Sequence, residues 1–218
     1  MSSQKKPEGL LVSEIFCSRQ GEGIETGTLT SFVRLAGCNL DCSWCDTKHS
    51  QKQNSGKPMK FAQILKELQK FPARHVCITG GEPLTQKTRL SKLMKLLHSK
   101  KYFVLIETNG SLDWTGIKAS ISMDLKPPSS GMQAFNNYSL LKKLGPKDCL
   151  KIVVKDRKDF DFAVWVLNSF KPEKRTNIVL QPCSNENARK LWAWCAKEPR
   201  ARLMLQMHKI VWGSKKKV

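Results

Sequence analysis

Three thiols stand close together in Cys38-Asn39-Leu40-Asp41-Cys42-Ser43-Trp44-Cys45, with three and then two residues between them. A loop with this spacing can wrap three thiolates round one metal centre, and soft sulfur ligands select zinc or an iron–sulfur cluster. The ligand count bears on the choice. Structural zinc is almost always closed by four protein ligands, and no second closely spaced Cys/His pair follows, although His49 offers a fourth donor. A cubane held by three cysteines leaves one iron open to a small molecule. The bland alternative is a chance cluster of structural cysteines. The remaining five, Cys17, Cys77, Cys149, Cys183 and Cys195, are dispersed, mostly within apolar runs, and read as small hydrophobes.

The thiols need a scaffold, and the hydrophobic pattern predicts one. Strand-like runs at 29–36, 75–79, 102–107, 119–124, 150–154, 178–181 and 203–207 alternate with helical periodicity at 59–71, about 90–97, 138–144, 160–170 and 188–196. That alternation implies parallel β-α units, hence an α/β layered sheet or a barrel closed fully or in part. The polar motifs follow strand ends: residues 38–47, Gly80-Gly81-Glu82-Pro83, Thr108-Asn109-Gly110, residues 126–131, Lys155 and Pro182-Cys183-Ser184. In parallel α/β folds the loops at the carboxyl ends of strands converge, so these segments predict a single pocket.

Composition narrows the class. A chain of 218 residues with 40% hydrophobic and 26% charged residues can bury a substantial core, and no apolar run approaches the roughly 20 residues of a membrane helix. The N-terminus lacks a signal-peptide apolar region, so the expected compartment is the cytoplasm, where cysteines are thiols or metal ligands. The net charge is +20, unevenly spread. Residues 1–58 hold seven basic and six acidic side chains, residues 59–218 hold 31 and 12. A solvated lysine-rich surface, an acidic protein partner and nucleic acid would each suit this excess.

The Cys-x-x-x-Cys-x-x-Cys run, with Gly80-Gly81-Glu82-Pro83 one β-α unit later, resembles the radical S-adenosylmethionine (SAM) enzymes. The resemblance implies a [4Fe–4S] cluster on Cys38, Cys42 and Cys45, SAM chelating the open iron, and cleavage of SAM to a 5′-deoxyadenosyl radical. It also implies a single domain built as a partial (β/α)6-type barrel, with a core over about 12–213 and a basic tail at 214–218. Longer stretches are similar to the 7-carboxy-7-deazaguanine synthase family: Gln20-Gly21-Glu22-Gly23, residues 32–38, Trp44-Cys45-Asp46-Thr47-Lys48-His49, Glu107-Thr108-Asn109-Gly110, residues 126–131, Gln181-Pro182 and Gln206-Met207-His208-Lys209. That family rearranges 6-carboxy-5,6,7,8-tetrahydropterin to 7-carboxy-7-deazaguanine with loss of ammonia, on the route to the tRNA bases queuosine and archaeosine. SAM acts catalytically and Mg²⁺ assists.

Carried over by position, the resemblance places Arg19, Gln20, Gly21, Glu22, Arg34 and Thr79 at the substrate. It places Gly81, Glu82, Ser122, Asp124, Lys126, Gln181, Pro182, Cys183 and Ser184 at SAM, and Thr47 at Mg²⁺. No side chain is assigned to the radical chemistry itself, which belongs to the cofactor. Glu22 suits the N–H donors of a pterin edge and Arg34 an anionic group. Each has an ordinary alternative: an ion pair for Arg34, a cap or turn hydroxyl for Thr47, a buried strand-end amide for Gln181. Three departures stand out: Arg19 replaces a usual apolar residue, residues 122–126 differ from the commoner Ser-Pro-Lys form, and the chain continues into Lys215-Lys216-Lys217-Val218.

The expected partners are a small pterin, a homodimer mate and an acidic flavodoxin-like electron donor docking on the basic surface. Neither direct nucleic-acid binding nor a membrane is expected. Two rival functions remain: an activase that installs a glycyl radical on a protein, which leaves Gln20-Gly21-Glu22-Gly23 without a role, and a basic zinc module that binds nucleic acid.

Overall fold

A computed structural model describes residues 9–213. The strands β1 (Gly9–Arg19) and β2 (Leu29–Leu35) pair antiparallel, and the short β3 (Lys57–Lys60) pairs with the outer side of β1. The chain continues through α1 (Phe61–Leu68), β4 (His75–Gly80), α2 (Lys87–Ser99), β5 (Phe103–Thr108), β6 (Ser120–Asp124) and β7 (Cys149–Val154). It ends with α3 (Arg157–Phe170), β8 (Asn177–Pro182), α4 (Ala188–Cys195), β9 (Arg202–Leu203) and α5 (Met207–Trp212). Hydrogen bonds link one sheet in the order β3-β1-β2-β4-β5-β6-β7-β8-β9, parallel from β2 onward. Six parallel strands, β2 and β4 to β8, form the expected partial (β/α)6 unit, and β3 and β9 are the two edges of the whole sheet.

The period-two alternation of strand side chains divides core from site. Val33 and Leu35, Ile106, Ile121 and Met123, and Leu150, Ile152 and Val154 belong to the continuous core cluster. Their neighbours Phe32 and Arg34, Glu107, Ser122 and Asp124, and Lys151 and Val153 line a cavity. The helices cover the core side. Leu90, Leu93, Met94 and Leu97 put one stripe of α2 into the core, each burial worth roughly 1.5–3 kcal/mol.

Four differences from the expected elements have physical causes. β1 does not read as a buried apolar run because Glu14, Phe16 and Ser18 face the cavity and most of its residues are only partly buried. The helix expected from residue 59 starts at Phe61, because Lys57 to Lys60 form β3, whose Pro58 and two lysines suit a sheet edge. The expected helix over 138–144 is a 3₁₀ stretch, Tyr138–Lys143. The strand expected over 203–207 is only the two-residue β9. Beyond it the chain leaves the sheet, Met207 N donating to Gly21 O at 3.1 Å, and Met207 opens α5. No helix of the described residues is long and apolar enough to cross a membrane. The expected tail at 214–218 lies outside the described residues.

Candidate active site

The carboxyl-terminal ends of the parallel strands surround a cavity of about 810 Å³. Cys38, Cys42 and Cys45 line it from the loop after β2, all as free thiols. That loop is fastened on three sides. Gly37 N and Cys38 N donate to Ser50 O (2.9 Å) and Gln51 O (2.8 Å). Ser43, between the second and third thiols, donates through N and Oγ to Ser130 O (3.1 Å) and Ser129 O (2.9 Å). Asn109 Nδ2 reaches Asn39 Oδ1 at 3.0 Å and lies 3.9 Å from Cys38 Sγ.

Burial pushes the Cys38 and Cys42 thiols up, while the Lys126 ammonium favours their thiolates. A tetrahedral zinc would hold sulfurs about 3.8 Å apart, from Zn–S bonds of about 2.3 Å. Among the described residues, the His, Cys, Asp and Glu side chains whose ligand atoms lie within 4.8 Å of one another are Glu22, Asp46 and His208, not the three cysteines. His49 is turned to Glu14, with Nε2 3.7 Å from Oε1. Three thiols lining a cavity, with His49 turned to Glu14, leave a metal centre open to a ligand in the cavity, as a site-differentiated iron–sulfur cluster requires and a closed structural zinc does not.

The glycine-rich turn after β4 packs directly on this loop. Gly81 N donates to Leu35 O (2.9 Å) and Glu82 N to Gly37 O (2.7 Å). A Cβ on Gly81 would sit 2.1 Å from Gly37 O, and one on Gly80, whose φ is +118°, 2.2 Å from Leu35 O. These glycines are therefore dictated by backbone meeting backbone. Gly81→Ala is expected to force the two loops apart, costing about 1–3 kcal/mol of stability and lowering iron retained after anaerobic reconstitution; denaturant unfolding and iron assay check it.

Glu82 does not line the cavity. Its carboxylate is fully buried, Oε1 accepting from Leu84 N (3.0 Å) and Thr108 Oγ1 (2.9 Å), Oε2 from Asn109 N (2.7 Å). Burial raises its carboxyl, and the three donors oppose that rise. The side chain expected at SAM is thus a strut joining the loops after β4 and β5.

A polar network crosses the floor. Gln20 Nε2 donates to Glu107 Oε1 (3.1 Å) and Thr79 Oγ1 to Glu107 Oε2 (2.7 Å). Glu22 accepts from Lys151 Nζ through Oε2 (2.6 Å) and from Gln206 Nε2 through Oε1 (2.7 Å), with His208 Nε2 at 3.9 Å. Burial opposes ionisation of Glu22, but Lys151, joined by the Gln206 hydrogen bond and His208, holds the carboxyl far below its usual range. Arg34 Nε is bound to Glu14 Oε1 at 2.6 Å, so its ion pair exists and also faces the cavity. Arg19 lines the rim, donating to Gly27 O at 3.0 Å.

The residues expected at SAM divide. Gly81, Ser122, Asp124, Lys126, Cys183 and Ser184 line the cavity, whereas Glu82, Gln181 and Pro182 do not. Lys126 Nζ lies 3.3 Å from Asp124 Oδ2. Asp124 Oδ1 is buried without a partner, as are both amide atoms of Gln181. Unsatisfied buried polar atoms are costly, and those of Asp124, which faces the cavity, suit a polar ligand there. Thr47 also lines the cavity. It precedes the 3₁₀ turn Lys48–Ser50 without capping it through its side chain, its Oγ1 lying 3.7 Å from Cys45 Sγ. Sequence reasoning missed Glu14, Glu107, Lys151, Gln206 and His208 as site residues. Lys151 had a signal: a lone lysine in the otherwise apolar run Leu150 to Val154.

The comparisons agree with this geometry. The family model described as Radical SAM superfamily matches residues 32–156. The 7-carboxy-7-deazaguanine synthase of Methanospirillum hungatei is 38% identical over 206 residues, covering 93% of this chain and 86% of that one. That of Clostridium acetobutylicum is 35% identical over 215 residues, covering 94% and 97%. Among solved structures, the crystal structure of QueE from Escherichia coli superposes with a TM-score of 0.75 at 26% identity, over 92% of this chain and 95% of that one. Thiol spacing, loop packing and near-full-length identity together make this chain a radical SAM enzyme that belongs to the 7-carboxy-7-deazaguanine synthase family.

Proposed function

We propose that this chain is a lyase that converts 6-carboxy-5,6,7,8-tetrahydropterin to 7-carboxy-7-deazaguanine with loss of ammonia, supplying queuosine or archaeosine biosynthesis. The observation that carries the reading is one cavity lined both by the three cysteines and by the Gln20, Glu22, Thr79 and Glu107 network. When bound, a [4Fe–4S] cluster on Cys38, Cys42 and Cys45 and its SAM supply a carbon-centred radical that removes a hydrogen atom. The protein's own groups do the rest. Glu22, kept ionised by Lys151, accepts from the N–H donors of the pterin edge. Gln20, Gly21 and Thr79 line the same side, and Arg34 offers its guanidinium to the substrate carboxylate.

Thr47 supplies a hard oxygen for Mg²⁺, which would take its remaining ligands from substrate and water. Gly81, Ser122, Asp124, Lys126, Cys183 and Ser184 frame SAM, Gln181 and Pro182 backing them from β8. The described residues, 9–213, act as one domain. The test is product identity: anaerobically reconstituted protein given SAM, Mg²⁺, reductant and the carboxypterin should form the deazaguanine, seen by mass spectrometry. SAM cleavage without that product overturns the substrate assignment.

The same reading extends to partners. An acidic flavodoxin-like donor docks on the basic surface of residues 59–218, and the working form is a homodimer, which light scattering tests. Screening weakens exposed charge contacts beyond a Debye length of about 8 Å at 0.15 M salt. Turnover driven by flavodoxin is therefore expected to fall about tenfold between 50 and 300 mM salt, while turnover driven by a small chemical reductant stays nearly level. Parallel salt curves would remove the docking surface.

A further inference from the structure

Lys151 is the odd residue of β7. Every residue of that strand is buried, and the others are apolar: Cys149, Leu150, Ile152, Val153 and Val154. A lysine is almost never fully buried unless it is paired. Lys151, 8% exposed, carries its ammonium to the cavity floor, where it meets two carboxylates from different elements. Its Nζ is 2.6 Å from Glu22 Oε2, on the loop after β1, and 3.4 Å from Asp124 Oδ2, on β6. Asp124 also takes Lys126, at 3.3 Å, so it does not depend on Lys151 for its charge partner. Glu22 does: its other polar contacts are the neutral Gln206 amide at 2.7 Å and His208 at 3.9 Å.

Glu22 sits on a turn, and loop side chains adopt one rotamer only where neighbours fix it. Lys151 holds Oε2 and Gln206 holds Oε1, leaving each carboxylate oxygen with one further lone pair. Two donors from different elements, β7 and the segment between β9 and α5, thus fix both the rotation and the charge of one carboxylate. That is the arrangement required of an acceptor that must meet a planar array of N–H donors.

We propose that Lys151 is a positioning residue for the substrate, orienting the Glu22 carboxylate and keeping it anionic so that it can receive the N–H edge of the pterin. This rests on the reading of Glu22 as a substrate acceptor. Its effect should fall on pterin binding and leave SAM untouched, because Asp124 keeps Lys126.

The test uses four variants of the reconstituted holoenzyme: Lys151→Met, Lys151→Arg, Glu22→Gln and the double Glu22→Gln/Lys151→Met. Lys151→Met should raise the KM for the pterin about tenfold or more with a smaller change in kcat and an unchanged KM for SAM, the pattern of lost substrate binding. Lys151→Arg, which restores the charge, should recover most of that loss. The double variant should be no worse than Glu22→Gln alone, because residues acting as a unit are not additive. If Lys151→Met fails to fold, the double variant, which leaves no unpaired buried carboxylate at Glu22, and Lys151→Arg still supply the comparison. Equal losses for pterin and SAM, or strictly additive effects, would overturn the positioning role. A Glu22→Gln variant with unaltered pterin KM would instead remove the reading of Glu22 beneath it.

Discussion

Cys42→Ala is expected to abolish turnover, with a fall of far more than 100-fold, and to leave the reconstituted protein short of iron. The magnitude follows from the ligand count. Even outer-sphere partners of metal ligands are worth about 10–100-fold, and Cys42 is one of only three thiols on the loop. Ser43, its neighbour, holds the loop through backbone and hydroxyl bonds to Ser129 and Ser130 that do not involve the thiol. The metal-free protein should therefore unfold at nearly the wild-type denaturant concentration. Iron content, the visible cluster absorbance and unfolding of the metal-free form check this. Full iron loading with normal turnover would contradict the assignment of the triad. Cys17 and Cys77 provide the contrast, since neither lines the cavity, and conservative replacement there should leave the cluster in place.

The second large effect is expected at a residue that never touches the cavity. Glu82→Ala removes the acceptor for Leu84 N, Thr108 Oγ1 and Asn109 N at once. Leaving a buried donor unsatisfied costs about 1–3 kcal/mol, so losing three contacts should destabilise the chain by about 3–5 kcal/mol. The loss has a direction. Asn109 N is held by Glu82 while its side chain bonds Asn39 beside Cys38, so slackening this strut loosens the cluster loop from behind. Glu82→Gln keeps one carbonyl oxygen and should lose less than half as much. Chemical unfolding gives the stability, and the rate of iron release to a chelator gives the coupling. A Glu82→Ala protein of wild-type stability would show that the strut carries no load.

Much of the architecture is legible in the residues. The apolar runs around Val76 to Ile78, Val104 to Ile106 and Leu150 to Val154 read as buried parallel strands because both of their faces are covered, by helices on one side and by the site on the other. The polar motifs fall at the carboxyl ends of those strands. What the pattern hides are elements whose stability comes from pairing rather than burial. β1 puts Glu14, Phe16 and Ser18 into the cavity, and β3 is an edge with two lysines, so neither shows a clean period.

The site divides in the same way. Motif positions pick out Cys38, Cys42, Cys45, Thr47 and Glu22, all of which line one cavity. Partners separated by long stretches of chain are hidden. Lys151 lies 129 positions from Glu22 and Gln206 lies 184, and no local spacing announces such pairs. Glu82 shows the opposite error: its place in the Gly80-Gly81-Glu82-Pro83 motif suggests a ligand contact, but its burial assigns it to the frame.

The central claim is that one cavity couples the cysteine triad to a pterin whose rearrangement leaves SAM intact overall. The most direct measurement is the molar balance of an anaerobic reaction supplied with limiting SAM and excess 6-carboxytetrahydropterin. The account predicts several molecules of 7-carboxy-7-deazaguanine for each SAM supplied, and one ammonia for each product. SAM consumed mole for mole, with neither deazaguanine nor ammonia released, would contradict it.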